Sequence, residues 1–229
     1  MEVYRPSQTP APSIPPSPMS LSLSPSKALI TQRRLTALSQ RPITARRPRP
    51  IPNSYWATPQ LLACEYPWTP KNPNKPKLDA LLRAGVRTFI DLTEAGELMS
   101  YANILCVRAA LLGIDTDTIE YHRFPIRDRC LPKSLDLMYD VLAVLRDNEV
   151  RGRVAAVHCR GGIGRTGMVI GCWLIDSGHA KDGEEALNII AREWRTVEKC
   201  KRYPHSPETG PQFDYVLNYH PKNANSSNW

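Results

Sequence analysis

Val157-His158-Cys159-Arg160-Gly161-Gly162-Ile163-Gly164-Arg165-Thr166-Gly167 decides how this chain of 229 residues is read. A short β-branched and alanine run, residues 154–157, leads into it and has the pattern of a central strand buried on both faces. An apolar helix is expected to leave it, over residues 165–177, stopped by Gly178. At such a strand-to-helix turn the free N–H groups and the helix dipole favour an anion. The glycines Gly161, Gly162 and Gly164 let the loop Arg160-Gly161-Gly162-Ile163-Gly164-Arg165 curl until successive N–H groups converge on one point, an anion nest. Cys159 opens the loop, and the same N–H groups and dipole stabilise a thiolate there. Arg165, six positions later, can grip two phosphate oxygens with its planar fork, which lysine cannot do. The Thr166 hydroxyl can stand near the sulfur and stabilise it as a leaving group. A glycine-rich turn alone says little, and a cysteine in one is often just a small buried residue. The combination of His158, Cys159, G-x-G and Arg-Thr-Gly between a strand and a helix is what points to phosphate chemistry.

Outward from this loop, short apolar runs alternate with helical periodicity. Pro76 is expected to open a helix through Leu78, Leu81 and Leu82 that Gly85 ends. Residues 86–92 read as a buried strand, 97–112 as a helix ending at Gly113, and 119–124 as a strand closed by Pro125. Ser134 caps a helix whose Leu135, Met138, Leu142 and Leu145 share one face. Asp182 caps another with Leu187, Ile190 and Trp194, and a last helix starts near Pro211. Strands alternating with helices imply an α/β layered domain with a central sheet flanked by helices.

Composition breaks near residue 52. The first 52 residues hold 11 of the 22 prolines, and Arg5, Lys27, Arg33, Arg34, Arg41, Arg46, Arg47 and Arg49 face a single acid, Glu2. That segment carries +7 of the net +8, so residues 53–229 carry 8 − 7 = +1. A nearly neutral domain does not present a basic nucleic-acid face. The tail is too poor in apolar surface to offset its ordering entropy, and is expected to be disordered. Its stretch 27–47, which mixes Leu29, Ile30, Leu35 and Leu38 with arginines, leaves organelle targeting or partner docking as alternatives. No apolar run is long enough to span a bilayer. The six cysteines show neither a CxxC pair nor metal-ligand spacing, so they are expected to be reduced, in the cytoplasm or the nucleus. No cofactor or metal is implied, and the oligomeric state is not indicated.

His158, Cys159, Arg165 and Thr166 meet the signature H-C-x5-R-[S/T], so the chain resembles the protein tyrosine phosphatase superfamily. Phe89-Ile90-Asp91-Leu92-Thr93, Phe124-Pro125-Ile126-Arg127-Asp128 and Ser206-Pro207-Glu208-Thr209 followed by Gln212 resemble its compact dual-specificity members, over residues 55–219. The resemblance implies a metal-independent hydrolase in which Cys159 forms a phosphocysteine. It implies that Asp128, 31 residues before the cysteine, is the general acid. Asp115 and Asp117 are rivals that precede the strand instead of following it. Arg127 departs from the family, where proline is frequent beside this acid. His158 is expected to orient the loop or modulate the thiolate. Gln212 resembles a glutamine that positions the hydrolytic water, with a plain polar residue in the last helix as the alternative. No asparagine-arginine-tyrosine loop deepens the pocket, which implies a site accepting phosphotyrosine and also phosphoserine or phosphothreonine in protein substrates. Beyond Arg165 the loop holds only Arg160, so phosphoinositides and inositol phosphates are the alternative.

Overall fold

The computed structural model describes residues 42–71 and 77–222. The expected disorder of residues 1–41, and Pro76 as a helix start, lie outside the described residues. Among the described residues, five strands form one mixed sheet in the order β1-β2-β5-β3-β4. Strands β1 (Ser54–Thr58) and β2 (Leu61–Cys64) form an antiparallel hairpin; β2, β5 (Val154–His158), β3 (Val86–Asp91) and β4 (Glu120–Arg123) run parallel. The loop-forming strand β5 is thus central, as its sequence implies. Its register sets Cys64, His158 and Asp91 side by side, with Arg123 beyond Asp91. The loops that leave these four strands therefore converge on one edge, where open α/β sheets place their ligand sites.

Period-two alternation divides the strands between two cores. Tyr55, Ala57, Leu61, Ala63, Ala155 and Val157 face one side. Helices α4 (Leu135–Val150), α5 (Gly164–Asp176), α6 (Gly183–Trp194) and α7 (Gly210–Leu217) cover that side. Trp56, Leu62, Phe89 and Ala156 face the other, under α2 (Lys77–Arg83) and α3 (Ala102–Leu111). The helix ends follow local chemistry. Ser134 accepts from Leu137 N and Asp182 from Glu185 N, while Gly85, Gly113 and Gly178 take positive φ.

Two expectations change. The helix read over 97–112 begins only at Ala102, because Gly96 (φ +81°) turns the chain and Glu97 N bonds back to Glu94 O. The packed chain also begins before residue 53. Residues 43–46 form a single turn, α1 (Ile43–Arg46), whose Ile43 and Thr44 amides donate to the buried Glu193 carboxylate at 2.5 and 3.1 Å. Thr44 Oγ1 accepts from Trp56 N at 2.9 Å, and the Arg47 guanidinium lies 3.5 Å from the Trp56 ring centroid. A buried carboxylate and a tryptophan face anchor this strap although its own composition is that of a disordered tail.

Candidate active site

Cys159 follows β5 directly, and α5 begins five residues later, so the intervening loop hangs between the sheet and a helix N-terminus. Gly162 sits at φ +72°, and a Cβ there would lie 2.5 Å from the backbone carbonyl of Cys64. Only glycine fits so close to the neighbouring strand. Among the described residues, no protein acceptor takes the backbone N–H groups of residues 160–165. Three of their carbonyls, by contrast, accept from groups outside the loop: Arg160 O from Tyr66 N at 3.2 Å, Gly161 O from Lys199 Nζ at 3.2 Å, and Ile163 O from Ser206 Oγ at 2.8 Å. The result is the nest the glycines imply, with its donors on one side.

Arg165 is 1% exposed. Its Nη1 and Nη2 donate to the two oxygens of Glu97, both at 2.8 Å, while Nη2 also donates to Asp128 Oδ1 at 2.7 Å. Nη1 reaches the Ile126 carbonyl at 2.9 Å. Burial opposes the guanidinium's charge, but the Glu97 bonds and the charges of Cys159, Glu97 and Asp128 outweigh it and raise its pKa. The same bonds from Arg165 hold the Glu97 carboxyl below the usual range, against its burial. Arg165 Nε and Thr166 Oγ1 are buried donors without a protein partner among the described residues.

Asp128 lies on the loop after β4 and lines the same cleft as Cys159, Arg160, Gly161, Ile163, Gly164 and Arg165. Phe124 N and Ile126 N bond to the carbonyls of Asp91 and Leu92, which ties this loop to the end of β3. Asp115 and Asp117 sit at the 3-10 turn Thr116–Thr118 that precedes β4, at the opposite end of that strand.

His158 is fully buried. Its Nε2 is 2.5 Å from the Tyr101 hydroxyl and its Nδ1 3.8 Å from Asp91 Oδ1. Burial, helped by the charge of Arg165 and opposed by Asp91, pushes its pKa down to about 4, so the ring is neutral near pH 7. It braces the loop from beneath. Gln212 is also fully buried: Nε2 donates to Cys130 O at 3.2 Å, and Oε1 accepts from Glu208 N and Thr209 N. The side chain's bonds go to backbone, as a cap of α7 that ties it to the loop after Asp128, and Gln212 does not line the cleft with Cys159.

Glu97, Lys199, Tyr203, Glu208 and Arg129 complete the surroundings, and the sequence reading missed them as site residues. The only sequence cue for Glu97 was an acid next to Gly96, shortly after the expected strand 86–92; the parallel pairing of β3 with β5 that brings it to Arg165 is seen in the structure. Among the described residues, no group of three or more His, Cys, Asp or Glu stands together to hold a metal ion. No helix of these residues is long and apolar enough to cross a membrane.

The family model "Swiss Army Knife protein, DSP-PTPase phosphatase domain" (PTP-SAK) matches residues 52–203, more than half of the chain. The chain belongs to this phosphatase family. It is of the dual-specificity type within the protein tyrosine phosphatase superfamily. The phosphatase domain is 29% identical over 149 residues to mouse protein tyrosine phosphatase domain-containing protein 1. That match covers 63% of this chain and 20% of the mouse protein, so this chain corresponds to about a fifth of that relative. The zebrafish protein of the same name is 26% identical over 150 residues, covering 63% and 21%. Among solved structures, Tk-PTP in its active form is similar with a TM-score of 0.56 and 22% identity, over 72% of this chain and 94% of that one. PTPMT1 in complex with PI(5)P gives a TM-score of 0.53 and 15% identity, over 72% and 92%. These likenesses establish the phosphatase fold.

Proposed function

We propose that this family member hydrolyses phosphorylated protein side chains, phosphotyrosine and also phosphoserine or phosphothreonine, through a phosphocysteine on Cys159. The observation that carries the reading is the gathering of Cys159, the unclaimed amides of residues 160–165, Arg165 and Asp128 in one cleft. The amides and Arg165, whose buried Nε has no protein partner, bind the phosphoryl oxygens and stabilise charge as it spreads in the transition state. Cys159 thiolate attacks phosphorus, and the ester P–O bond breaks as Asp128 gives its proton to the leaving oxygen. Water then attacks the phosphocysteine, Asp128 carboxylate takes its proton, and the P–S bond breaks to release inorganic phosphate and the thiolate. Thr166 Oγ1, a buried donor without a protein partner, is assigned to the departing sulfur. No step calls for a metal.

The rim favours a singly phosphorylated group. Arg160 pairs with Glu97 at 3.3 Å, Arg129 with Glu208 at 3.9 Å and Lys199 with Glu65 at 3.0 Å. Each cation beyond Arg165 thus has a carboxylate beside it, with Glu97 shared with Arg165 and Glu65 with Lys77, which lowers the charge on offer to a polyphosphorylated inositol ring. A reducing cytoplasmic or nuclear compartment is proposed with this function, because the nucleophile must stay a thiol. The test is an assay on an aryl phosphate with chelator present, beside Cys159→Ser, followed by phosphopeptides and phosphoinositides at matched concentration. Turnover is expected to survive the chelator, to be blocked by vanadate and to vanish in Cys159→Ser. Activity persisting in that variant would overturn the mechanism, and preference for phosphoinositides the substrate class.

A further inference from the structure

In a trans peptide unit the carbonyl of one residue and the N–H of the next point in opposite directions. Holding a loop carbonyl outside therefore turns the following N–H into the nest. Tyr66 N does this for the Arg160–Gly161 unit, by a backbone bond that no side chain controls. Ile163 O is held twice, by Ser206 Oγ and by Gly167 N. The Gly161–Gly162 unit differs. It lies between two residues without Cβ, one of them at φ +72°, so no side chain of its own restricts the dihedrals on either side of it. Turned over, it would aim the Gly161 carbonyl at a bound anion and remove a donor. Among the described residues, what holds it is one side chain, Lys199 Nζ, 3.2 Å from Gly161 O.

Lys199 comes from the 3-10 turn Glu198–Lys201, outside the signature loop. Its ammonium is fixed by Glu65 Oε2 at 3.0 Å. Glu65 is buried and itself held by Asn53 Nδ2 at 2.8 Å and Lys77 Nζ at 2.6 Å. We propose that Lys199 is a positioning residue: seated by Glu65, it orients the Gly161–Gly162 peptide so that the Gly162 amide faces the phosphoryl oxygens. This rests on the loop being the oxyanion site.

The test uses the full chain, with tungstate binding measured by calorimetry and kcat and KM measured on a small aryl phosphate. Lys199→Met is expected to weaken tungstate about tenfold and to lower kcat about a hundredfold, the scale of one lost oxyanion donor. Its melting temperature should stay within about 3 °C of the parent's, and Lys199→Arg should recover most of the affinity. Glu65→Gln decides between orientation and simple charge. It removes a negative charge near the site, so tungstate would bind more tightly if Lys199 acted only as a cation. If Lys199 acts by holding the carbonyl, its release weakens tungstate severalfold. Lys199→Met affinity within twofold of the parent, or Glu65→Gln binding unchanged or tighter, overturns the proposal. Should Lys199→Met fail to fold, Glu65→Gln carries the same decision. A parent chain that binds no tungstate would overturn both this inference and the reading of the loop beneath it.

Discussion

Replacing Glu97 by Gln separates positioning from charge at the guanidinium. Glu97 gives Arg165 two bonds of 2.8 Å, and Asp128 Oδ1 and the Ile126 carbonyl supply the rest. Glutamine keeps one neutral acceptor oxygen for that fork, so one charge-assisted bond is lost and the other weakened. Hydrogen bonds to charged groups contribute about 1.5–3 kcal/mol each. The retained acceptor leaves a net loss of about 2 kcal/mol, or roughly thirtyfold in rate if the loss falls on the transition state. The electrostatic effect runs the other way, because a carboxylate beside an anion site repels substrate and its removal should leave KM unchanged or lower. The expected result on an aryl phosphate is therefore a kcat lower by about thirtyfold with a KM that does not rise. Urea unfolding should show a parallel loss of about 2 kcal/mol, since Arg165 stays buried with fewer acceptors. A kcat within twofold of the parent would refute the claim that Glu97 holds the guanidinium in place.

Asp128→Ala should slow turnover by about two to four orders of magnitude. It should leave tungstate affinity intact or improved, since Arg165 Nη2 loses a competing carboxylate; if Asp115→Ala produced the rate loss instead, the acid is misassigned. Deleting residues 1–41 should leave aryl-phosphate turnover and melting unchanged. Deleting residues 1–52 should cost about 3 kcal/mol or more by leaving the buried Glu193 carboxylate without the Ile43 and Thr44 amides; equal melting of the two truncations would contradict this. His158 predicts a pH dependence of stability. Its folded pKa of about 4 lies below the 6.5 of the unfolded chain, so unfolding takes up a proton between them. That contribution is whole above pH 6.5 and is lost as pH falls towards 4, on the order of 3 kcal/mol. His158→Gln should flatten urea-unfolding stability over this window, and profiles that stay parallel would sink the assignment.

What the sequence made legible was local. Ser134, Asp182, Gly85 and Gly178 mark their helix ends by side-chain and backbone chemistry that needs no distant partner. Residues 157–167 carry their own strand, nest and helix, which is why Cys159 and Arg165 could be proposed from sequence. The parts that were not legible depend on partners far along the chain. Residues 42–52 have the proline and arginine of a tail, and partners such as Glu193, some 150 positions away, and the Trp56 face make them part of the domain. The hairpin β1–β2 has no long alternating run to announce it. Glu97 looks like a first-turn helical acid until the parallel register of β3 and β5 brings its loop to Arg165. The sequence left Gln212 balanced between positioning water and a plain polar role; three backbone bonds now occupy its amide.

The two edges of the sheet are guarded against other chains in different ways. An open strand edge is a template on which a second molecule can pair, and charge or coverage suppresses that. At one edge β4 reads Glu-Tyr-His-Arg, and Glu120 is ringed by Arg151 and Arg153, so an incoming strand meets charge. At the other, β1 reads Ser-Tyr-Trp-Ala-Thr and is buried along its whole length. There the strap does the guarding: the hydroxyl of Thr44 takes the outward amide of Trp56, and Arg47 lies over its ring. Proteolytic nicking or a truncation boundary drawn after residue 52 would bare the outer edge of a strand paired on its other side to β2. Self-association through β1 is then the failure to expect first, with the phosphate loop after β5, beyond β2, still formed.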